Sequence, residues 1–258
     1  MLSPAIATVG HTARLAGAAL GWLVRDVVAG RFPWRDALVQ GWFVVSVTVV
    51  PAVFVAIPFG VIVSVQVGQL TQQIGATSLA GAAAGVGVVR QGAPLVAALL
   101  LGGAAGAAIA ADLGSRTVRE EIDALRVMGI DPVRRLLVPR LAAMVLVAPL
   151  LCVVIVFMGL ATGYVINVAV QQGTAGGYLS SIAAFVTVPD LVAALAKSAL
   201  FGFVVVVLAG QRGLAATAGP KGVAESVNAS VVLGVVATFA LNLVLTQALS
   251  IFGERGAW

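Results

Sequence analysis

Apolar and polar positions in this chain are segregated into long blocks. Five blocks, 42–65, 93–111, 141–166, 191–209 and 231–252, contain a single charged residue between them, Lys197. Each is close to the roughly 20 residues that a helix needs to cross the hydrocarbon core of a bilayer. Backbone polar groups in lipid must be satisfied within the segment, so the blocks predict helices. The period-2 alternation of a membrane barrel is absent. Pro51 and Pro58 fall inside the first block and predict a bend there. Gly102/Gly106 and Gly159/Gly163 are small residues four apart, a spacing that suits close helix contacts.

Two regions fit neither class cleanly. Residues 1–40 mix Leu15, Leu23 and Val27 with Arg14, Trp22 and Arg25, and then turn at Phe32-Pro33-Trp34. Trp beside Arg is an interfacial signature, so the pattern predicts an in-plane amphipathic helix and an elbow into the first span. The same interruptions depart from the pattern of a cleaved signal peptide. Residues 69–92 carry little charge, are rich in Gly and Ala and begin with polar residues, which predicts a surface helix or a shallow re-entrant segment.

The strongest charge pattern lies in 112–140, between the second and third blocks. Thr117 and Glu120 have capping-box spacing, which predicts a helix start. Val118, Ile122, Leu125 and Gly129 follow at i, i+4, i+7 and i+11 and form one stripe. Arg119, Asp123 and Arg126 fall on the other side, with Glu120 beside them. Gly129 and Asp131-Pro132 predict the stop. By periodicity this is either a short amphipathic surface helix or a solvated linker.

Composition narrows the class. The 258 residues are 60% hydrophobic and 10% charged, with mean hydropathy +1.09. A soluble domain carries roughly 25% charged residues, so this chain cannot cover a soluble globule; it reads as one integral membrane domain over 1–258. Net charge +5 and pI 10.3 follow from Lys and Arg retained on the cytoplasmic side and do not point to nucleic acid. Arg14, Arg25, Arg31 and Arg35 precede the first span, and six arginines lie in 112–140. Arg212 and Lys221 lie between the last two spans, while 167–190 has no Lys or Arg. The asymmetry predicts a cytoplasmic N-terminus and an extracytoplasmic C-terminus. The single cysteine, Cys152, lies in an apolar block and reads as a small buried hydrophobe. No P-loop, metal-ligand cluster or Ser-His-acid set occurs, which argues against ATP binding by this chain, a metal cofactor and triad chemistry.

The run R-E-E-I-D-A-L-R-V-M-G-I-D-P from Arg119, followed by R-L-L-V-P-R ending at Arg140, resembles the signature of the MlaE/YrbE permease family. Supporting matches are A-A-D-L-G-S-R-T at the end of the second span, K-S-A-L-F-G from Lys197 and R-G-L from Arg212. G-P-K-G-V from Gly219 and S-V-N-A-S-V-V from Ser226 resemble the A-type YrbE subunit of actinobacterial Mce systems. The chain departs from the family at Gln91, Ala93, Ala104 and Ala224, which fits one half of a heterodimer.

The resemblance implies the membrane subunit of an ABC-type lipid transporter, not an enzyme. The expected architecture is all-α, with five transmembrane helices, an interfacial helix and elbow over 1–40, and a cytoplasmic coupling helix over 115–130. Arg119, Glu120, Glu121, Asp123 and Arg126 would be the charges that dock an ATPase, with Leu125 and Met128 as apolar contacts. Implied partners are a cytoplasmic ATPase dimer, a B-type YrbE permease subunit, Mce proteins forming a lipid tunnel, and a fatty or sterol lipid, with import across the plasma membrane as the implied direction; no cofactor is implied.

Polar residues inside the spans are candidates for a lipid path. Lys197 either snorkels to the outer interface or meets a lipid head group or Asp190. Asn242 and Thr246 share a face at i, i+4 and serve either as interhelical hydrogen-bonding groups or as path lining. Val65 and Leu243 are apolar candidates on the first and fifth spans. A membrane-embedded lipid enzyme would need an acid, His or metal constellation, and a secondary transporter would need repeated halves and buried acids; neither pattern is present.

Overall fold

The computed structural model describes residues 2–76, 79–217 and 219–255, with side chains described over 10–76, 79–217, 219–249 and at 251. Among these are eight helices and no strand: α1 (Leu2–Val28), α2 (Trp34–Gln73), α3 (Ala80–Val118), α4 (Glu121–Val127), α5 (Val133–Ala169), α6 (Ala175–Phe185), α7 (Val188–Leu214) and α8 (Pro220–Arg255). Five of them, α2, α3, α5, α7 and α8, are long and apolar enough to cross a membrane, and they contain the five apolar blocks. The helix of α2 continues through Pro51 and Pro58, and α5 continues through Pro149. Three π-helical turns interrupt the α pattern, at Gly87–Gly92 and Leu101–Gly106 in α3 and at Val133–Leu137 in α5.

Of the two expectations for 69–92, a separate surface helix is not what forms. α2 extends to Gln73, and Ala80–Val86 is the first, largely buried part of α3. Small side chains lower the hydropathy of this stretch, but they are what lets it pack against protein: a Cβ at Gly81 would collide with Ser181 Oγ and the Tyr178 carbonyl of α6. α6 is itself an addition to the segment expected as a loop. It is capped by Thr174, whose Oγ1 accepts from Gly177 N at 3.2 Å.

The chain forms two compact units. The first takes in Met1–Val47, Leu101–Val147 and Ala199–Trp258. Its fully buried side chains include Leu101, Leu113, Leu137, Met144 and Phe201. Glycine makes the close approaches: a Cβ at Gly213 would stand 2.7 Å from Leu113 Cβ, and one at Gly106 would stand 3.1 Å from Val205 Cγ1. The second takes in Thr48–Leu100 and Ala148–Ser198, around Val88, Val89, Leu151 and Ile155. There Gly60 of α2 meets Gly159 of α5, whose carbonyl oxygen would lie 2.7 Å from an added Cβ. Cys152 is fully buried, as expected of a small hydrophobe.

α1 and an elbow precede α2, as the pattern of 1–40 predicts. The turn is a Schellman motif: Gly30, at φ +65°, donates to the Val27 carbonyl and Arg31 donates to the Asp26 carbonyl. It places Phe32 in a small core with Ala37 and Val138, flanked by Trp22, Leu23 and Ala142.

Candidate functional site

The charged segment between α3 and α5 is two turns around one short helix, not one continuous helix. α3 ends at Val118, and Glu120 takes a left-handed conformation at φ +61°. The expected capping box does not form. Thr117 Oγ1 instead donates to the carbonyls of Leu113 (2.9 Å) and Gly213 (3.1 Å), and α4 has no side-chain cap. Thr117 is still inside α3, where its hydroxyl bonds back onto the preceding turn. The break also splits the predicted stripe. Val118 belongs to α3, Ile122 is fully buried, Leu125 is half-buried and Gly129 is an exposed turn residue.

The predicted stop is present. Gly129, at φ +72°, donates to the Arg126 carbonyl and Ile130 donates to the Leu125 carbonyl, a second Schellman motif. Asp131 Oδ1 then accepts from Val133 N at 2.9 Å at the start of α5.

The predicted charges surround α4. Glu121 pairs with Arg119 (3.1 Å) and Arg116 (3.4 Å), and Asp123 pairs with Arg126 (2.8 Å). Glu120, Arg119, Asp123 and Arg126 are exposed. Exposed pairs of this kind contribute about 0–1 kcal/mol each, so an approaching partner can exchange them at little cost. Met128 is 63% exposed and Val127, which the stripe did not select, is 89% exposed. The accessible apolar contact on α4 is thus Val127 with Met128; Leu125 is half-buried.

Behind α4 lies a clamp that the sequence pattern did not reveal. Trp22 of α1 donates its indole N–H to Asp131 Oδ2 at 2.9 Å. Arg134 makes two bonds to Asp26, at 2.7 and 2.9 Å, with its guanidinium 4.8 Å from the Trp22 ring centre. Arg140 bonds Asp112, which also accepts from Arg116 at 3.2 Å. α4 is therefore carried between α3 and α5 on a base tied by ion pairs and by α1.

The path candidates occupy different settings. Lys197 is 6% exposed and its Nζ donates to the Arg90 carbonyl at 3.4 Å, so it does not snorkel out of the protein. Nor does it hold Asp190. That carboxylate takes a two-bond pair from Arg90 (2.8 and 3.0 Å) and accepts from Thr187 N and Oγ1, at the start of α7. Arg90 lies 107 residues from Lys197 in sequence, beyond the reach of spacing arguments. Val65 is half-buried. On α8, Asn242 is buried, Thr246 is half-buried and Leu243 is 68% exposed.

The Permease MlaE family model matches residues 37–248. This chain belongs to the MlaE permease family. The permease is 32% identical over 226 residues to a probable ABC transporter permease protein of Synechocystis sp., covering 88% of this chain and 86% of that one. It is 29% identical over 231 residues to the chloroplastic protein TRIGALACTOSYLDIACYLGLYCEROL 1 of Arabidopsis thaliana, spanning 88% of this chain and 65% of the plant protein. A probable ABC transporter permease protein of Rickettsia typhi is 28% identical over 162 residues, 63% of this chain and 62% of its own length. The chain is thus a multi-pass membrane protein and the permease subunit of an ABC transporter, not a catalytic chain; a permease of this kind implies a separate ATPase partner. Family membership sets aside the enzyme and secondary-transporter readings.

Proposed function

We propose that this permease couples ATP hydrolysis by its partner to the movement of a lipid, and that α4 is the docking element. The observation that carries the reading is a short helix bearing exposed charges and bare Val127 and Met128, held between two spans on an ion-paired base. Charge at the rim with a small apolar anchor suits a reversible interface. Arg119, Glu120, Glu121, Asp123, Arg126, Leu125 and Met128 are the proposed contacts.

The Lys and Arg asymmetry supports a plasma-membrane orientation with α4 and the N-terminus cytoplasmic and the C-terminus outside. In this reading α1 lies in the inner interface. α2 and α8 bury only 22% of their most apolar windows within the chain, against 61% for α3. That open apolar surface supports pairing with a second permease subunit, of B-type if this chain is the A-type its Gly219 and Ser226 motifs resemble. The lipid-path residues proposed from the sequence are Val65, Asn242, Leu243 and Thr246, with Lys197 as the polar group. Mce proteins would complete the route, in the import direction.

Purification in mild detergent followed by mass spectrometry of co-purifying chains tests the reading. A P-loop ATPase, a second permease and Mce-domain proteins are expected together; recovery of the permease alone from intact membranes contradicts it.

A further inference from the structure

Beside the Arg140–Asp112 pair lies a cavity of about 370 Å³, bounded by the starts of α2 and α5 and the end of α3, all in the first compact unit. Four guanidinium groups line it: Arg35, Arg116, Arg135 and Arg140. Opposing them are Asp36, which pairs with Arg135 at 3.3 Å, and Asp112, which holds Arg140 and Arg116. Glu121 also reaches Arg116, at 3.4 Å, so four positive charges face three negative ones and an excess of one remains. Arg140 is 5% exposed, yet its Nη1 is buried without a hydrogen-bond partner among the described residues. Arg35 is exposed and makes no ion pair among them.

A surplus of guanidinium groups around one cavity, with Arg35 outside any ion pair among the described residues, is the complement of a phosphate. The guanidinium fork matches phosphate oxygens two at a time, and charge assistance strengthens each bond. At about 30 Å³ per water the cavity has room for roughly a dozen waters, more than a phosphate alone fills. Leu38, Trp42 and Phe43 on the adjoining turns of α2 are exposed apolar residues, suited to the chain region of a lipid.

We infer that this arginine cavity binds a phosphate-bearing anion, distinct from the lipid route proposed above. The ligand bridges α2, α3 and α5 at the base of α4 and neutralises the excess charge there. Its phosphate belongs either to a lipid head group or to a free phosphate.

The test uses the detergent-purified, delipidated full chain. Binding of short-chain phosphatidic acid, diacylglycerol of the same chain length and inorganic phosphate is followed by native mass spectrometry and by thermal midpoint. Phosphatidic acid should bind at least about tenfold more tightly than diacylglycerol, as charge-assisted phosphate bonds require. Arg35→Gln and Arg140→Lys should each weaken it severalfold, the latter keeping the charge facing Asp112 while removing Nη1. Lys221→Gln, a matched loss of charge on α8, should leave it unchanged. Displacement of phosphatidic acid by inorganic phosphate assigns a free phosphate, and failure to displace assigns a lipid head group. Equal binding of the two lipids, or anion binding indifferent to the arginine variants, overturns the site. If Arg140→Lys does not fold, exposed Arg35→Gln decides.

Discussion

Trp22 and Asp131 are joined by a 2.9 Å hydrogen bond across 109 residues of sequence. It fastens α1 to the turn through which α4 passes into α5. The same carboxylate, through its other oxygen, starts α5. One side chain thus fixes both the N-terminal helix and the exit of the docking element.

Trp22→Phe keeps the ring under Arg134 and removes the indole donor. Loss of that bond should cost about 1 kcal/mol and lower the thermal midpoint by about 2–4 °C. Hydrolysis by the assembled ATPase should become less dependent on transport substrate. Asp26→Arg with Arg134→Asp should recover part of the stability that either single change removes. Differential scanning fluorimetry with a coupled ATPase assay reads both effects, and unchanged coupling in Trp22→Phe would make the clamp structural only.

Glu120→Lys with Glu121→Lys should release the ATPase or uncouple hydrolysis, while membrane insertion stays normal. Glu121 holds both Arg119 and Arg116, so the reversal removes the carboxylate that links them and sets two new positive charges beside them. Quantifying ATPase recovered per permease gives the answer; full recovery and the original transport rate would exclude these residues from docking.

Two glycine substitutions should separate packing from helix propensity. Gly60→Ala pushes a methyl group to 2.7 Å from the Gly159 carbonyl and should lower the midpoint. Gly103→Ala meets nothing within 4 Å and should raise stability by about 0.5–1 kcal/mol through helix propensity alone. Thermal midpoints of the detergent-solubilised chain should move in opposite directions.

Cysteines at Ser115 and Gly253, in a Cys152→Ala background, should react with an impermeant reagent from opposite faces of sealed vesicles. Labelling of both from one face would contradict the proposed orientation. Gly253 lies outside the described side chains, so this measurement depends on the Lys and Arg asymmetry alone.

All five spans were legible in the sequence because block hydropathy reads directly as helix length. The stop at Gly129 was legible because a left-handed turn selects glycine whatever surrounds it. The burial of residues 80–92 was not legible because the Gly and Ala that let this stretch pack on α6 also weaken its hydropathy. The capping box failed for a different reason. Thr117 and Glu120 have the right spacing, but Thr117 reaches the Gly213 carbonyl 96 residues away, and the chain breaks after Val118. The Trp22–Asp131 and Asp26–Arg134 ties and the Arg90–Asp190 pair were invisible because each joins residues about 100 apart. Val127 was passed over because the stripe was projected through a break that re-aims the helix.

A photoreactive amino acid at Val127, in the complex assembled in native membranes, tests the docking role of α4 most directly. The side chain is 89% exposed in the isolated chain, so the substitution should not disturb folding. Irradiation should produce one dominant adduct, with the P-loop ATPase, and a probe at exposed Val232 on α8 should give none with that partner. An intact complex in which the Val127 probe captures only lipid or solvent, while the ATPase is captured from elsewhere on the permease, would contradict the assignment.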